Sequence, residues 1–520
     1  MKKMRKAIAW IVSGGLVFVL MSCSADGTGQ TDDQEKTYTI TSLDFLYDDI
    51  PPKDGKGVKM IEEKFHVKYK RTYGVYTDYT EKVATQVASG DIPDVIGFEM
   101  SNDRSNFFKW AEQGAFLPLN DYIDEYPTLK KVPKEVWNAV SIDGKIMAIP
   151  KYFPPKYLNT PIIRKDWLDR LGLEIPKSHE ELKEVALAFT EQDPDGNGKD
   201  DTYGMVLGEN LWPNYHFGAY WDMGAWYHTN AKGQVVPGII TEERKGMIRL
   251  YADLYKKGAV NSDFVLTNPN EANGKEFYAG KAGMIVRGPV EMTEENMEAL
   301  SRIHPGAELA PIPPFVAPDG SKGYTAGSGY YTATALSAKL SDHPGKVRRI
   351  LEIIDYGRTF YPLDKRNPQN KEFDWLYGKE GEGYEMVQGY PVLSQGVKGL
   401  SPWHYLIDNK MWAPTDESNQ YAKTYKHKAY RQLAEDLETM HTETKHYINP
   451  IYQVYSPTQA RKGLELQKKL LNEQARMVTG DRPLSDWDQT VNQWLKAGGK
   501  EIIDEVNREM KKKHIRPKWQ

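Results

Sequence analysis

Hydrophobic and polar positions alternate with two different periods in the first part of the chain. Residues 37–47 alternate as a strand does, residues 58–65 follow the helical period, and residues 66–73 alternate again. A helix is predicted over residues 78–90, with a capping aspartate at its start and a glycine at its end, and residues 94–98 predict another strand. This β-α-β-α order favours an α/β lobe built on a largely parallel sheet.

A second lobe is predicted to begin near residue 161. Ser178 and Glu181 have the spacing of a helix-capping box, and the apolar residues that follow recur at the helical period: Leu182, Val185, Ala186 and Phe189. From residue 418 to the end, the pattern is mostly helical. The predicted fold class is therefore α/β with a helix-rich C-terminal part.

The composition is that of a globular protein with many aromatic residues: 40% of residues are hydrophobic, 27% are charged and 12% are aromatic. Because single hydrophobic cores seldom grow beyond ~250–300 residues, a chain of 520 residues is expected to form about two or three domains. The formal charge of −4 and the lack of a basic stripe outside residues 511–513 argue against nucleic acid as a partner.

Residues 1–22 have the pattern of a signal for export. Basic residues precede an apolar run of about 14 residues, 7–20, which is shorter than the ~20 residues that a membrane-spanning helix needs. The run ends in Leu20-Met21-Ser22-Cys23, which resembles a bacterial lipobox, and the resemblance implies cleavage before Cys23 and a lipid on its thiol. The alternative is a cleaved signal with an incidental cysteine. Cys23 is the only cysteine, so no disulfide is expected, and residues 23–36 suit a flexible tether.

The loop DPDGNGKDDTYG, residues 193–204, alternates oxygen-bearing side chains in the way a metal site does. Its candidate ligands are Asp193, Asp195, Asn197, the carbonyl of Lys199, and Asp201. Hard oxygen ligands at this spacing suit Ca²⁺, and Gly198 permits the sharp bend that such a loop needs. A calcium sensor is not expected, because the acid that an EF-hand carries at its last position is Gly204 here and no partner loop exists. A structural calcium site and a solvated polar turn remain as interpretations.

Residues 211–227 form an aromatic-rich segment that suits a sugar-binding surface, because sugar rings stack their apolar faces on flat side chains. Asn214 and Asp222 in the same segment are available for hydroxyl groups. The residues predicted to contact a ligand are Trp212, Tyr215, Trp221, Trp226, Arg287, Tyr330 and Trp403. The alternatives are an ordinary aromatic core and, for Arg287, a brace at the start of a helix.

No catalytic signature occurs in the sequence. A P-loop and a G-x-S-x-G elbow are both absent. His179-Glu180 begins like a zinc-protease helix, but Lys183 stands where the second histidine would be. No catalytic residue is therefore predicted.

Several short phrases follow one another along the chain, most densely between residues 85 and 290. They are Ala88-Ser-Gly-Asp-Ile-Pro-Asp-Val95, Gly114-Ala-Phe-Leu-Pro-Leu119, Asp143-Gly-Lys-Ile-Met-Ala-Ile-Pro150, Ile163-Arg-Lys-Asp-Trp-Leu-Asp-Arg-Leu-Gly172, the oxygen-rich loop, and Gly280-Lys-Ala-Gly-Met284. Together with the lipobox, they resemble the family 1 extracellular solute-binding proteins, the oligosaccharide-binding lipoproteins of ABC importers that include bacterial alginate-binding proteins.

The resemblance implies a two-lobed, type II-like fold that closes on its ligand. The lobes are expected at residues 37–155 with about 308–400, and at 156–307 with about 401–520. It also implies a structural Ca²⁺ ion at the oxygen-rich loop, away from the sugar cleft. Thr202 stands where alginate-binding relatives carry an additional acidic residue, so one ligand is expected to be weaker or replaced by water.

The hypothesis is a lipid-anchored, monomeric substrate-binding protein outside the cell membrane. It captures an oligosaccharide in an aromatic-lined cleft and delivers it to ABC permease subunits. Two alternatives stay open at this point: a secreted glycoside-active enzyme with two carboxylates in the cleft, and a peptide-binding lipoprotein. The sequence does not identify the sugar.

Overall fold

The computed structural model describes residues 36–46, 50–75, 79–100, 103–156, 160–268, 274–288, 292, 294–387, 389–393, 399–407 and 427–520. Cys23 and most of the predicted tether lie outside these residues. The strands, β1 to β16 in chain order, are Tyr38–Leu46, Val67–Val75, Val95–Glu99, Ser141–Ile142, Lys145–Ile146, Ile149–Tyr152, Thr160–Arg164, Tyr203–Met205, Ala282–Arg287, Leu309–Pro311, Gly323–Ala326, Tyr330–Leu336, Tyr384–Val387, Tyr390–Leu393, Lys445–Ile448 and Lys518–Trp519.

The α-helices, α1 to α15 in chain order, are Lys56–Phe65, Tyr79–Ser89, Arg104–Glu112, Lys134–Ala139, Lys165–Leu171, His179–Glu191, Glu242–Lys256, Lys275–Tyr278, Glu294–Ile303, Pro344–Gly357, Lys371–Leu376, Lys428–Glu443, Pro457–Thr479, Trp487–Trp494 and Lys500–Lys512. Within the described ranges, none of the helices combines the length and the apolar character needed to cross a bilayer.

The first sheet contains five strands in the order β2-β1-β3-β12-β6. Strand β1 runs parallel to β2 and β3, whereas β12 is antiparallel to β3 and β6. Alternating apolar residues bury both faces, with Ile40 in one core and Leu43 in the other. The predicted parallel arrangement is confirmed for β1, β2 and β3, and the antiparallel strand β12 comes from a much later part of the chain.

The second sheet contains four strands in the order β10-β7-β9-β8. Helices α6 and α7 cover it with a core that includes Phe189 and Tyr251. Helix α6 begins where the capping box predicted, since the hydroxyl of Ser178 accepts a hydrogen bond from the amide of Glu181 at 3.1 Å.

The chain returns from the second sheet to the first at Tyr330. Before that point, β10 pairs with β7, and β11 pairs with β15 in a third sheet of order β11-β15-β16. The sequence placed this return at about residue 308. Leu309–Pro311 supplies the edge strand of the second sheet, and the boundary between the lobes stays a prediction.

Three described segments run side by side between the two larger sheets. The amide of Phe153 donates to the carbonyl of Gly329 at 3.0 Å, and the amide of Gly327 donates to the carbonyl of Pro155 at 2.7 Å. A third segment, residues 449–456, joins them through Arg104, whose Nη2 donates to the carbonyl of Val454 at 3.1 Å. We call the three segments, residues 153–155, 327–329 and 449–456, the crossovers. The first two adjoin the strands β6 and β12 of the first sheet, and the third leads from β15 to α13 beside them.

Candidate functional site

One face of the first sheet changes from apolar to polar toward the carboxyl ends of its parallel strands. On this face of β1, the core residue Ile40 is followed by Asp44; on β2, Tyr69 is followed by Arg71 and Tyr73. The register places Asp44 directly opposite Tyr73. Ligands of open α/β sheets bind beyond the carboxyl ends of the strands. This polar edge is therefore the first-lobe part of the candidate site.

Asp44 is the centre of a cluster of charges at this edge. Its Oδ2 lies 3.7 Å from Arg71 Nη2 and 3.9 Å from Lys151 Nζ, and the three side chains are 14%, 7% and 14% exposed. Both distances exceed the ~3 Å of an N–H···O hydrogen bond, so the two cations keep donors for other partners. In particular, Nε of Arg71 is buried without a hydrogen-bond partner among the described residues. The cluster can thus offer one acceptor and two donors to a polar ligand.

A short helical turn, Pro402–His404, closes the cluster on one side. The carbonyl of His404 accepts hydrogen bonds from the hydroxyl of Tyr73 at 3.2 Å and from Arg71 Nη1 at 3.4 Å. Burial raises the pKa of Tyr73, and the Arg71 guanidinium opposes this effect only in part. Tyr73 is therefore a neutral phenol that donates a hydrogen bond, and it helps to fix Arg71.

The aromatic segment of the second lobe contributes a polar pair beside the crossovers. Asp222 is 8% exposed, and its Oδ1 accepts hydrogen bonds from Asn214 Nδ2 and from the amide of Gly224, both at 2.8 Å. Oδ1 of Asn214 is buried and lacks a partner among the described residues. Nδ2 of Asn449 donates to the carbonyl of Gly224 at 2.9 Å, which ties this pair to the third crossover.

Tyr452 on the third crossover lies near Asp222 of the second lobe and Arg104 of the first, and its carbonyl accepts a hydrogen bond from Arg104 Nη2 at 3.5 Å. Burial, and then the negative charge of Asp222, raise the pKa of Tyr452 to about 12, while the cation of Arg104 opposes the shift. Arg104 Nη1 donates to the hydroxyl of Tyr330 at 2.9 Å. The contacts place Tyr330, one of the predicted ligand residues, at the junction of the lobes, but its ring is buried and only 4% exposed.

Two of the predicted aromatic ligand residues lie in the hydrophobic core. Tyr215 and Trp226 are 1% and 4% exposed. The hydroxyl of Tyr215 donates to the carbonyl of Met284 at 3.1 Å, and the carbonyl of Trp226 accepts from the hydroxyl of Tyr447 at 2.6 Å. A ring that is enclosed in this way has no free face for a sugar, so we do not place these two rings in the binding surface.

The other predicted aromatic residues are not brought together. Trp221 lines a separate cavity of about 380 Å³ between α6 and α7. Trp403 stacks on Tyr377 with ring centroids 4.9 Å apart, although its neighbour His404 belongs to the first-lobe cluster. Trp212 is exposed. The aromatic composition therefore does not outline one continuous surface.

Arg287 lies at the end of an inner strand of the second sheet. It ends β9 and is paired with Thr160, the first residue of β7. The predicted contact between Arg287 and a ligand stays a prediction.

The loop after α6 brings its predicted oxygen ligands together. The amide of Gly198 donates to Asp193 Oδ2 at 2.9 Å. Nδ2 of Asn197 donates to Asp195 Oδ2 at 2.8 Å and to Asp201 Oδ1 at 3.2 Å. The amide group of Asn197 thus points toward the carboxylates. Because the oxygen and nitrogen of such an amide are assigned from the hydrogen-bond network, a half-turn directs its oxygen to the same place.

The carboxylates of this loop crowd one another. Hydrogen bonding, first from the amide of Gly198, lowers the pKa of Asp193, whereas burial and the neighbouring Asp193 raise the pKa of Asp195. A bound cation relieves this repulsion. Carboxylate and amide oxygens of this kind are the ligands that Ca²⁺ prefers, so the donor set fits the ion.

Of the two further predicted ligands of the loop, Thr202 uses its hydroxyl within the loop's own structure, whereas Lys199 uses its N–H and not the carbonyl oxygen that was predicted to bind the ion. The amide of Lys199 donates to Asn197 Oδ1 at 2.8 Å, and the hydroxyl of Thr202 donates to the carbonyl of Phe189 at 2.7 Å. Thr202 therefore caps the end of α6. In the part of the chain that the structure describes, no group of three or more His, Cys, Asp or Glu side chains is placed to hold a metal ion.

The sequence pattern did not single out Asp44, Arg71 or Lys151. None of them belongs to a recognised motif, and they are separated by up to 107 positions, 151 − 44. The available signal was positional, since Asp44 and Arg71 interrupt apolar alternation in the carboxyl halves of predicted strands. Only the strand order brings Lys151 to them.

A family profile described as bacterial extracellular solute-binding protein matches residues 58–351, more than half of the chain. The chain is 28% identical over 497 residues to the polygalacturonan/rhamnogalacturonan-binding protein YtcQ of Bacillus subtilis (strain 168), with 94% of each protein covered. It is 26% identical over 526 residues to lipoprotein LipO of the same organism, covering 97% of this chain and 99% of LipO.

The fold is also similar to a solved structure, that of the alginate-binding protein AlgQ2 without calcium ion. The TM-score is 0.63 at 20% sequence identity, with 92% of this chain and 99% of AlgQ2 covered. An identity this low supports a statement about the fold alone. The predicted two-lobed α/β fold is confirmed.

Proposed function

Because this chain belongs to the bacterial extracellular solute-binding protein family, we propose that it captures an oligosaccharide between its two lobes and delivers it to the permease of an ABC importer. The observation that carries the proposal is two groups of polar, mostly buried side chains beside the crossovers, which we call the two polar edges. They consist of Asp44, Arg71 and Lys151 in the first lobe, and Asn214 and Asp222 in the second. The prediction that the chain is not an enzyme is confirmed by the family and by the relatives named for binding.

The chemistry of both edges suits a ligand with many hydroxyl groups. A sugar hydroxyl both donates and accepts hydrogen bonds, so it can bind Asp44 and a cation at the same time. Asp222 and the unpartnered Oδ1 of Asn214 provide further acceptors. YtcQ is named for polygalacturonan and rhamnogalacturonan, and AlgQ2 for alginate. These names support a carbohydrate ligand, and we propose that Arg287 pairs with a carboxylate where the sugar carries one.

The proposed mechanism is closure of the two lobes around the ligand. An oligosaccharide that contacts both edges binds the closed form more tightly than the open form, and it therefore shifts the population toward closure. We propose that the crossovers bend during this motion. We propose that the permease recognises the closed form.

We further propose that the protein is a monomer held outside the cell membrane by a lipid on Cys23. The lipobox supports this anchor, and LipO is itself named a lipoprotein. The lobes are proposed to follow the two larger sheets, with residues 37–155 as the start of the first lobe. We expect the tether, residues 23–36, to let the anchored protein turn its cleft toward the permease.

Calcium is proposed as a structural ion at the loop after α6. Asp193, Asp195, Asn197 and Asp201 would hold it, together with the carbonyl of Lys199. The bound ion supplies positive charge that offsets the crowded carboxylates. The loop belongs to the second lobe and contains none of the residues of the two polar edges, so we expect the ion to stabilise the fold without contacting the sugar.

Tryptophan fluorescence with a panel of oligogalacturonides, rhamnogalacturonan fragments and alginate oligosaccharides tests the proposed function. A saturable change without release of shorter products is the expected result. A change only with peptides would favour the peptide-binding alternative, and silence across the glycan panel would refute the proposal.

A further inference from the structure

A cavity of about 740 Å³ lies outside the two polar edges. It is enclosed by the loop 313–322 between β10 and β11, by the C-terminal end of α12, and by strand β16. Its principal lining residues are Pro313, Pro314, Lys322, Glu443, Lys445 and Trp519. None of its lining residues belongs to the two polar edges, so we treat it as separate from the proposed cleft. Its volume is in the range of small-molecule sites, which is roughly 300–1,000 Å³.

Trp519 provides a flat apolar wall of this cavity. It is paired with Tyr447 across the third sheet, and its ring reaches over the neighbouring strand as far as Gly323. A β-carbon at Gly323 would lie 2.6 Å from Trp519 Cζ3, so the glycine gives the indole its place against the sheet. Tyr227 and Tyr447 contact the indole at steep angles of 74° and 64° rather than stacking on it.

Charged groups of both signs surround this wall. Lys322, Glu443 and Lys445 are exposed, and none of them forms a salt bridge with another described residue. Asp436 adds a second carboxylate, which accepts a hydrogen bond from Gln432 at 3.0 Å. The two prolines provide apolar surface. This arrangement suits a sugar ring. The flat indole and the apolar walls match its two apolar faces, and the charged groups around them match the hydroxyl groups at its rim.

We propose that this cavity is a second carbohydrate-binding site, with Trp519 as its stacking platform. The choice of ligand class rests on the proposed function. Lys322 and Lys445 donate to hydroxyl or carboxylate groups, and Glu443 accepts from hydroxyls. The site holds a further segment of a long chain on the second lobe, independently of the cleft.

Affinity electrophoresis of the whole chain in gels that contain polygalacturonic acid, alginate or inulin tests the second site. The cleft is first weakened by the double substitution Arg71→Ala/Asp222→Ala. We expect this protein still to be retarded by at least one polymer. Adding Trp519→Ala should weaken the remaining retardation about tenfold, because one apolar ring face is no longer covered. Trp519→Phe should retain most of it, and Trp494→Ala, at a half-buried tryptophan outside this cavity, is the control in the same background.

The outcomes separate the second site from the proposed cleft. If the cleft-weakened protein is not retarded by any of the polymers, or if Trp519→Ala changes nothing, the second site is refuted. If Arg71→Ala/Asp222→Ala binds as the unsubstituted protein does while Trp519→Ala abolishes binding, the second site stands and the cleft proposal fails. Melting curves identify a variant that does not fold. In that case Lys322→Ala/Lys445→Ala replaces Trp519→Ala, and equal retardation would again refute the site.

Discussion

Asp44 and Gly97 face each other on the parallel strands β1 and β3, and the glycine makes room for the carboxylate. A β-carbon at Gly97 would lie 2.3 Å from Asp44 Oδ1, which is closer than side chains approach. The amide of Phe45 donates to the same oxygen at 2.9 Å. The position of Asp44, and with it the charged cluster, therefore depends on a residue without a side chain.

Gly97→Ala should weaken oligosaccharide binding roughly tenfold, because displacing Asp44 costs about one hydrogen bond. The free energy of unfolding should also fall by about 1–3 kcal/mol, the usual cost of overpacking. Calorimetric titration and urea unfolding measure the two effects. Gly306→Ala is the matched control, since a β-carbon there has nothing within 4 Å. If the sugar affinity of Gly97→Ala is unchanged, Asp44 does not contact the ligand.

The local part of the fold could be predicted from the sequence. The segment predicted as a helix over residues 78–90 is the helix Tyr79–Ser89, and Ser178 caps α6 as its spacing to Glu181 indicated. Hydrophobic periodicity and helix capping depend on residues that are close together in the chain, so a single sequence is enough to predict these helices and strands. The parallel strands β1–β3 followed from the same rhythm.

The site depends on relationships that periodicity does not contain. Lys151 lies in the same sheet as Asp44 only because β12, from a much later part of the chain, pairs with both β3 and β6. Tyr215 and Trp226 have the residue types of a sugar platform, yet both are enclosed in the core. An aromatic side chain stabilises a core and a binding surface by the same burial of apolar area, so composition alone cannot distinguish the two places.

Arg104→Ala should loosen the junction of the lobes without removing a proposed ligand contact. Its side chain bonds to the hydroxyl of Tyr330 and to the carbonyl of Val454, and losing these bonds costs about 1–3 kcal/mol. We expect a larger radius of gyration by X-ray scattering in the absence of sugar. Arg302→Ala, on an exposed helix face, is the control. Identical scattering of the two variants would argue against a role of Arg104 in the hinge.

Stability should decrease in acid because of a buried histidine pair. Nδ1 of His441 lies 3.1 Å from Nε2 of His446. Nε2 of His441 lies 2.9 Å from the hydroxyl of Thr160. Burial lowers the pKa of His441 to about 3 and that of His446 to about 4. The unfolded chain, with histidine pKa values of about 6.5, therefore binds more protons in mild acid. The stabilisation is complete above pH ~6.5 and is lost as the pH falls below it.

Urea unfolding at about pH 7.5 and about pH 5 measures this loss, which should approach about 1.4 kcal/mol per pH unit for each histidine. His441→Gln/His446→Gln should show a smaller difference between the two pH values, whereas the control Arg302→Ala should keep the difference of the unsubstituted protein. An equal pH dependence in the double variant would assign the acid sensitivity to other groups.

Calcium chelation should lower the melting temperature and leave sugar affinity unchanged. The reason is that a ligand bound only by the folded state stabilises it, and the oxygen-rich loop is separate from the polar edges. Asp193→Asn/Asp201→Asn should melt at the lower temperature both with and without chelator. If chelator does not change the melting temperature of the unsubstituted protein, the loop is a polar turn and not a structural calcium site.

The central claim is that one oligosaccharide contacts both lobes. Calorimetric titration of the best-bound sugar of the panel into Arg71→Ala, Asp222→Ala and the double variant tests it directly, with Arg302→Ala as control. Each single substitution should weaken binding roughly tenfold or more, because each removes a buried polar partner. Affinities equal to that of the unsubstituted protein in both single variants would contradict the claim.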